Sequence, residues 1–421
     1  MNQPWPAPHA DEPIVTRVSI PGSKSLTNRA LVLAALADSP STLHAPLVAR
    51  DTSLMADALE SLGARITRDD EAWRVTPIRE FTNATVDCGL AGTVMRFVPI
   101  IAALSTGTTQ FDGDPRAYER PMGATISALR ELGATVEDDG RETLPFTVTG
   151  GPQVTGGRLE IDASASSQFV SALLLAGARL PSGLDLAHRG EALPSLPHID
   201  MTVTELRRRG VQVDVSDSRW VVQPGPIHGV DLVIEPDLSN AGAFIAAALA
   251  TGGSVAIANW PTETDQAGAA WLELVTAFGG RAERDGTDMV FHGPAELVGV
   301  DLDLHDVGEL TPVVAALSAL ATSPSRLSGV AHLRGHETDR LAALRVEINR
   351  LGGDVTEFSD GLEIKPATLT GGEFLTYHDH RMAHAAAVLG LRVRGVTIEN
   401  VETTSKTYPE FASTWLEMVN P

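Results

Sequence analysis

Apolar and polar residues fall into blocks along this chain, and the same order of blocks comes round six times. A short strand-like run leads into a small-residue turn. An Ala/Leu-rich segment at helical spacing follows, then a second strand-like run punctuated by Gly or Ser. The strand-like runs begin near Arg17, Thr85, Arg158, Asp231, Asp301 and Phe374. Their starts lie about 70 residues apart, longer than the usual solenoid periods. The pattern predicts helices over residues 29–37, 93–105, 167–178, 241–251, 311–322 and 381–392. These segments are apolar on nearly every face, which predicts buried helices. Second helices end on near-identical phrases, Leu62-Gly63-Ala64, Leu132-Gly133-Ala134 and Leu351-Gly352-Gly353. A glycine there supplies the left-handed residue that ends a helix before the next strand. Each unit is therefore expected to be a small sheet over buried helices. Six units divide most simply into two domains of three, with the turn-rich segment Gln223–Gly229 between them.

Length agrees, since 421 residues exceed one ordinary core. A net charge of −22 argues against nucleic acid or an anionic membrane as partner. An anionic small molecule would need a local concentration of basic groups. The single cysteine excludes a disulfide scaffold and fits a reducing compartment. The Pro-rich, polar N-terminus does not read as a signal peptide, and no apolar run approaches the roughly 18 residues of a membrane span. A cytoplasmic protein is expected. Of 32 basic residues only Lys24, Lys365 and Lys406 are lysines. Arginine stays charged and planar, whereas lysine can give up a proton, so these positions draw attention.

Polar residues gather where each first helix begins. There backbone N–H groups point outward and the helix dipole is positive. Those junctions hold Lys24–Arg29, Gly89–Arg96, Ser164–Gln168, Asp237–Asn240, Glu309 and Asp379–Arg381. Facing one another, such helix starts would form an electropositive cleft for a small molecule with more than one anionic group. Pro21–Arg29 is not a Walker A loop, because Ser23 rather than Gly precedes Lys24. It reads as a phosphate or carboxylate site or, more plainly, as a capped helix with solvated charges. Asp112–Pro121 is a polar loop with two arginines, for which surface ion pairs are the bland account. His336–Arg340 offers Glu337 as an acid or base and Arg340 as a carboxylate fork, or an ordinary helix capped by Thr338. It is not a zinc motif, since His is absent from position 340. Tyr377–His384 packs three histidines, but the ligand count disfavours a metal and favours Arg381 offered to an anion.

Pro21–Arg29, Leu90–Arg96, Pro115–Pro121, Ser166–Gln168, Glu337–Arg340, Asp379–Arg381 and Lys406 stand in an order and at spacings that resemble the 5-enolpyruvylshikimate-3-phosphate synthase family of enolpyruvyl transferases. The resemblance covers the chain after its first dozen residues. It implies an α/β fold, a two-domain inside-out α/β barrel in which each domain holds three βαβαββ units around buried helices. The expected domains are residues 21–230, the N-terminal half, and residues 1–20 with 231–421, the C-terminal half. It implies transfer of the enolpyruvyl group of phosphoenolpyruvate to the 5-hydroxyl of shikimate 3-phosphate, releasing phosphate, on the route to chorismate and the aromatic amino acids. It implies no metal and no organic cofactor, and a monomer is expected. Carried over by motif, Lys24, Gly92, Arg120, Gln168, Arg340, Arg381 and Lys406 would hold phosphoenolpyruvate. Ser25, Arg29, Ser166, Ser167, Gln168, Ser195, Glu309 and His336 would hold shikimate 3-phosphate. Lys24, Glu309 and Glu337 would be catalytic, with Glu309 as base near the hydroxyl and Glu337 with Lys24 moving protons at the methylene. Gly92 implies room for the inhibitor glyphosate.

The chain departs from the enterobacterial pattern at Glu309 for Asp, His336 for Lys, His332 for Asn, His198 for Tyr and Leu90 for Asn. A histidine at 336 would weaken shikimate 3-phosphate binding as pH rises above about 7, if it titrates near its reference value. Two rivals stand beside this reading. UDP-N-acetylglucosamine enolpyruvyl transferases resemble it but carry a reactive cysteine on the loop matching Gly113–Pro121, which has none here. A non-catalytic binder of small anionic metabolites would have no use for Glu309 and Glu337, since carboxylates repel an anion unless they move protons.

Overall fold

The computed structural model describes residues 4–69 and 71–420. Residues 1–3 and 421, the ends of the expected C-terminal-half domain, lie outside it. The described residues form five four-stranded sheets and one three-stranded sheet. One repeat shows the common plan. Ala84–Asp87 runs parallel to Thr108–Asp112, which lies antiparallel to Phe146–Thr149, and Thr135–Glu137 takes the far edge. Helix Gly92–Ala102 links the first two strands, and helix Gly123–Glu131 precedes the last two. The glycines that close such second helices do adopt the left-handed region: φ is 114° at Gly63, 101° at Gly133 and 89° at Gly352.

Three sheets take a strand from far away in sequence, and in the three-stranded one Trp5–Pro6 lies antiparallel to Thr397–Ile398. Asp231–Val233 pairs in parallel with Ser41–His44, and Val15–Val18 pairs in parallel with Ser254–Ile257. The pattern places the strand at Asp231 at the head of the C-terminal half. Its backbone bonds put it with residues 41–76 instead. One compact unit is accordingly Gly22–Ile234, and the other holds the chain up to Pro21 and from Glu235 onward.

Each unit has its own apolar core. In the first, the helices Lys24–Ala35, Gly92–Ala102 and Gln168–Gly177 are buried almost throughout. In the second, Leu238–Thr251, Thr311–Leu320 and His380–Gly390 take that place. Their alanines let helices approach closely and carry no side-chain entropy cost. Gly242 goes further, since a Cβ there would stand 2.5 Å from Trp271 Nε1. Among the described residues, no helix is long and apolar enough to cross a membrane.

Helix starts differ from the periodicity in an informative way. Residues 29–37 are the apolar stretch, but the helix begins at Lys24, because Ser23 Oγ accepts from the Leu26 amide at 3.4 Å. Lys24 and Ser25 therefore occupy its first turn. Asp339, not Thr338, caps the helix Arg340–Arg350 by accepting from the Ala342 amide.

Candidate active site

In the Gly22–Ile234 unit the predicted residues lie at neighbouring helix starts. Lys24 Nζ is 3.3 Å from Asp51 Oδ2, a carboxylate only 2% exposed. Asn28, one turn on, donates from Nδ2 to Thr93 Oγ1 at 2.7 Å, joining the helix of Lys24 to that of Gly92. Arg96 donates from Nη1 to Gln168 Oε1 at 2.8 Å. Arg120 donates from Nη1 to the Leu90 carbonyl at 3.0 Å. Both guanidinium groups converge on Gly92, where a Cβ would meet Arg120 Nη2 at 2.8 Å and Arg96 Nη1 at 2.9 Å. Burial, and then repulsion from Arg120, holds the Arg96 guanidinium well below its ordinary value. Two buried cations so close oppose each other until an anion arrives.

The expected hydroxyls border the same unit. Ser166 Oγ accepts from the Gln168 amide at 3.3 Å, and Ser167 is the residue before the helix Gln168–Gly177. Ser195 is buried at φ 55°, a left-handed conformation costly for a non-glycine residue. Its carbonyl accepts from the His198 amide at 3.1 Å at the entry to helix Pro197–Arg208.

Arg29 is almost fully buried. It donates from Nε to Thr202 Oγ1 at 2.7 Å and from Nη2 to the His198 carbonyl at 2.8 Å and Ser171 Oγ at 3.3 Å. Nη1 donates to the Ser25 carbonyl at 3.0 Å. Burial pushes the guanidinium down to about 10, and Glu205 partly restores it. Four protein acceptors leave it little to offer a ligand, while its bond to the carbonyl of Ser25 fixes that residue.

In the other unit, Glu337 is the hub. Its Oε1 is 2.8 Å from Lys406 Nζ, and its Oε2 is 3.2 Å from His380 Nδ1. Burial would raise this carboxyl, but Lys406 and then His380 outweigh it and hold it well below the usual range. Burial pushes His380 down to about 4, so a neutral ring donates from Nδ1. Arg340 forks onto Asp379, with Nε to Oδ2 at 2.7 Å and Nη2 to Oδ1 at 3.1 Å. Burial lowers the Arg340 guanidinium, but Asp379 raises it further, so it stays charged. Arg381 donates from Nη1 to the Ser239 carbonyl at 2.7 Å. Ser239 Oγ in turn reaches Glu309 Oε1 at 3.4 Å.

Two of the three histidine departures, His332 and His336, lie in this unit near Glu309. His332 packs on the turn that carries it, for a Cβ at Gly308 would stand 2.4 Å from His332 Nε2. Burial, and then His305, pushes His332 down to about 4. His336 Nδ1 is 3.2 Å from Arg340 Nη1. A guanidinium only donates, so in this contact the ring nitrogen is the acceptor.

A metal must be considered, because ligand atoms of Glu337, Asp379 and His380 lie within 4.8 Å of one another. Both Asp379 oxygens already face Arg340, and Glu337 Oε1 faces Lys406. A divalent ion would have to displace two cations, so these carboxylates are a poor fit for one. His384, one turn beyond His380, is fully buried with neither ring nitrogen partnered.

Several of these residues were not singled out by the sequence. Arg96 had a usable signal, since it lies one turn after Gly92 on the same helix face. Asp51 had none, because its partner Lys24 comes from a distant segment.

The comparisons with known proteins agree with one another. The profile of the EPSP synthase (3-phosphoshikimate 1-carboxyvinyltransferase) family matches residues 8–415. A 3-phosphoshikimate 1-carboxyvinyltransferase from Kocuria rhizophila is 54% identical over 429 aligned positions, covering 99% of this chain and 96% of that one. An EPSP synthase structure from Acinetobacter baumannii superposes with a TM-score of 0.79 at 23% identity, covering 99% and 97%. The enolpyruvyl transferase NikO from Streptomyces tendae gives 0.77 at 17% identity, covering 99% and 98%. At these identities the two structures speak to the fold alone. Through the match to residues 8–415 and the 54% identical relative, the chain belongs to the EPSP synthase family.

Proposed function

We propose that the chain transfers the enolpyruvyl group of phosphoenolpyruvate to the 5-hydroxyl of shikimate 3-phosphate and releases inorganic phosphate. Family membership supports the overall reaction. The observation that carries the chemistry is the buried Glu337–Lys406 pair, a carboxylate and an ammonium in proton contact at 2.8 Å beside Arg340. A site that only bound anions would not keep a carboxylate there.

The alcohol oxygen attacks C2 of phosphoenolpyruvate while Glu309 accepts its proton, and a proton is added to the methylene carbon. The resulting tetrahedral ketal then loses a proton from the new methyl group, and the C–O bond to phosphate breaks. Glu337 with Lys406, and Lys24 with Asp51, are the groups able to hold and return that proton. Lys24, Gly92, Arg120 and Gln168 in one unit, and Arg340, Arg381 and Lys406 in the other, are assigned to phosphoenolpyruvate. Arg96 joins them on the convergence at Gly92. Such fixed cations neutralise the charge that develops on the leaving phosphate. Ser25, Ser166, Ser167, Gln168, Ser195, Glu309 and His336 are assigned to shikimate 3-phosphate. Arg29 acts mainly by fixing Ser25.

The domains of the working enzyme are taken as the two compact units, and the enzyme as a cytoplasmic monomer. Cys88, which burial makes still harder to ionise, gives no support to a cysteine-dependent UDP-N-acetylglucosamine transferase. Phosphate release from phosphoenolpyruvate should require shikimate 3-phosphate and ignore UDP-N-acetylglucosamine. Turnover that survives Glu309→Ala or Glu337→Ala in a folded protein would overturn the assigned roles.

A further inference from the structure

Asn240 has no part in the chemistry proposed above, yet it closes a ring of contacts around it. It is fully buried in the first turn of the helix Leu238–Thr251. Its Nδ2 donates to the Thr407 carbonyl at 3.0 Å, and its Oδ1 accepts from the Thr407 hydroxyl at 3.2 Å. Both ends of one carboxamide thus grip a single residue. That residue follows Lys406, whose ammonium is 2.8 Å from Glu337 Oε1. The other oxygen of Glu337 takes His380 Nδ1 at 3.2 Å. Arg381, next along, returns to the Ser239 carbonyl at 2.7 Å, the neighbour of Asn240. The circuit ties the starts of two buried helices to Glu337 and to the 3-10 segment Val401–Lys406.

Satisfying a buried carbonyl is reason enough for one of the two Asn240 bonds. It does not explain a second bond to the same residue's side chain. A lysine has a long, flexible stem, and its ammonium is placed only as well as the backbone beneath it. Thr407 adjoins the backbone of that stem; its amide bonds the Thr404 carbonyl at 3.0 Å within the segment, and Asn240 anchors it from another helix.

We propose that Asn240 is the positioning residue for Lys406, holding the backbone at Thr407 so that the ammonium is presented to Glu337 and to an incoming phosphoryl or carboxylate anion. The proposal rests on the roles given to Lys406 and Glu337 above. Asn240 touches no reacting atom and acts only through its neighbour.

Three substitutions grade the effect. Asn240→Ala removes both bonds, Thr407→Val removes only the hydroxyl bond, and Thr407→Ser keeps both. With phosphoenolpyruvate and shikimate 3-phosphate as substrates, Asn240→Ala should raise the KM for phosphoenolpyruvate and lower kcat, together costing about ten- to a hundredfold in kcat/KM. The KM for shikimate 3-phosphate should stay within about twofold of the parent. Thr407→Val should fall between, and Thr407→Ser should match the parent. A second readout needs no turnover. The chain has only three lysines, Lys24, Lys365 and Lys406, so a protein selectively labelled with carbon-13 lysine gives three resolvable ε-carbon signals. The Lys406 signal should move in Asn240→Ala while that of Lys365 stays. A variant that melts earlier but keeps both the KM for phosphoenolpyruvate and the Lys406 signal would make Asn240 merely structural and overturn the proposal. If Asn240→Ala does not fold, Thr407→Val against Thr407→Ser decides in the same way. A parent chain that releases no phosphate would overturn the functional reading, and the lysine signals would still decide the positioning.

Discussion

Lys406 Nζ and Glu337 Oε1 stand 2.8 Å apart with side chains only 11% and 9% exposed. Burying two such charges is costly, and removing one partner leaves the other uncompensated. Lys406→Met should therefore destabilise the protein by about 3–5 kcal/mol. It should also cost about a hundredfold or more in turnover, the usual share of a positioned acid or base. Combining it with Glu337→Gln should restore most of the stability and none of the turnover. Urea unfolding beside phosphate release checks both halves; a Lys406→Met protein as stable as its parent would refute the pairing energy.

Acid should unfold this protein early. His332 and His380 are pushed down to about 4, and His384 well below its ordinary value, in each case mainly by burial. Once unfolded they titrate near 6.5. Between about 6.5 and about 4 the unfolded chain binds more protons, so stability falls as pH falls, by up to about 1.4 kcal/mol per pH unit for each group. Glu337, held low by Lys406 and His380 against its own burial, adds a loss of the same sign below about 4.5. Urea midpoints at about pH 7.5 and about pH 5 should differ accordingly, and His384→Leu should flatten the slope. Equal midpoints would contradict it.

Gly92→Ala puts a methyl group within 2.8 Å of Arg120 Nη2 and 2.9 Å of Arg96 Nη1. Both neighbours are the far ends of long side chains, so the fold should survive, and helix propensity should offset strain by up to about 1 kcal/mol. The displaced guanidinium groups should raise the KM for phosphoenolpyruvate by about tenfold, equivalent to about 1.4 kcal/mol. Glyphosate, if it competes for the same cations, should inhibit more weakly. Unchanged constants for both would remove Gly92 from the site.

Arg29→Lys separates a strut from an anchor. A lysine cannot serve Thr202, Ser171, His198 and Ser25 together. The strut reading expects at least about 2 kcal/mol of lost stability along with any rise in the KM for shikimate 3-phosphate. A protein of parental stability with a raised KM would make Arg29 a direct ligand instead.

Much of this was legible in the sequence because the repeat exposes it. Ala/Leu blocks with no polar face demanded buried helices, and the glycines at 63, 133 and 352 marked where second helices stop. Lys24 stood out as a charge at a bland helix start, Glu337 and Arg340 in the charged segment His336–Arg340, and Lys406 as one of three lysines. What the sequence hid was pairing between distant segments. Nothing local joins Arg340 to Asp379, or Asn240 to Thr407, across 39 and 167 residues. Nor does composition say that Arg29 faces inward, since exposed and buried arginines look alike until their acceptors are known. The strand at Asp231 was misplaced for the same reason: its sequence marks a strand, and only the ladder names the sheet.

The borrowed strands bear on how the chain is made. On a ribosome, Val15–Val18 emerges early, but its partner Ser254–Ile257 follows roughly 240 residues later, a wait on the order of tens of seconds at ordinary rates of translation. The Gly22–Ile234 unit can assemble nearly whole in that interval, missing only the edge strand Asp231–Val233 until its last residues appear. Val15–Val18 must remain unpaired throughout, and Trp5–Pro6 longer still, exposed strands that a nascent-chain chaperone would have reason to cover.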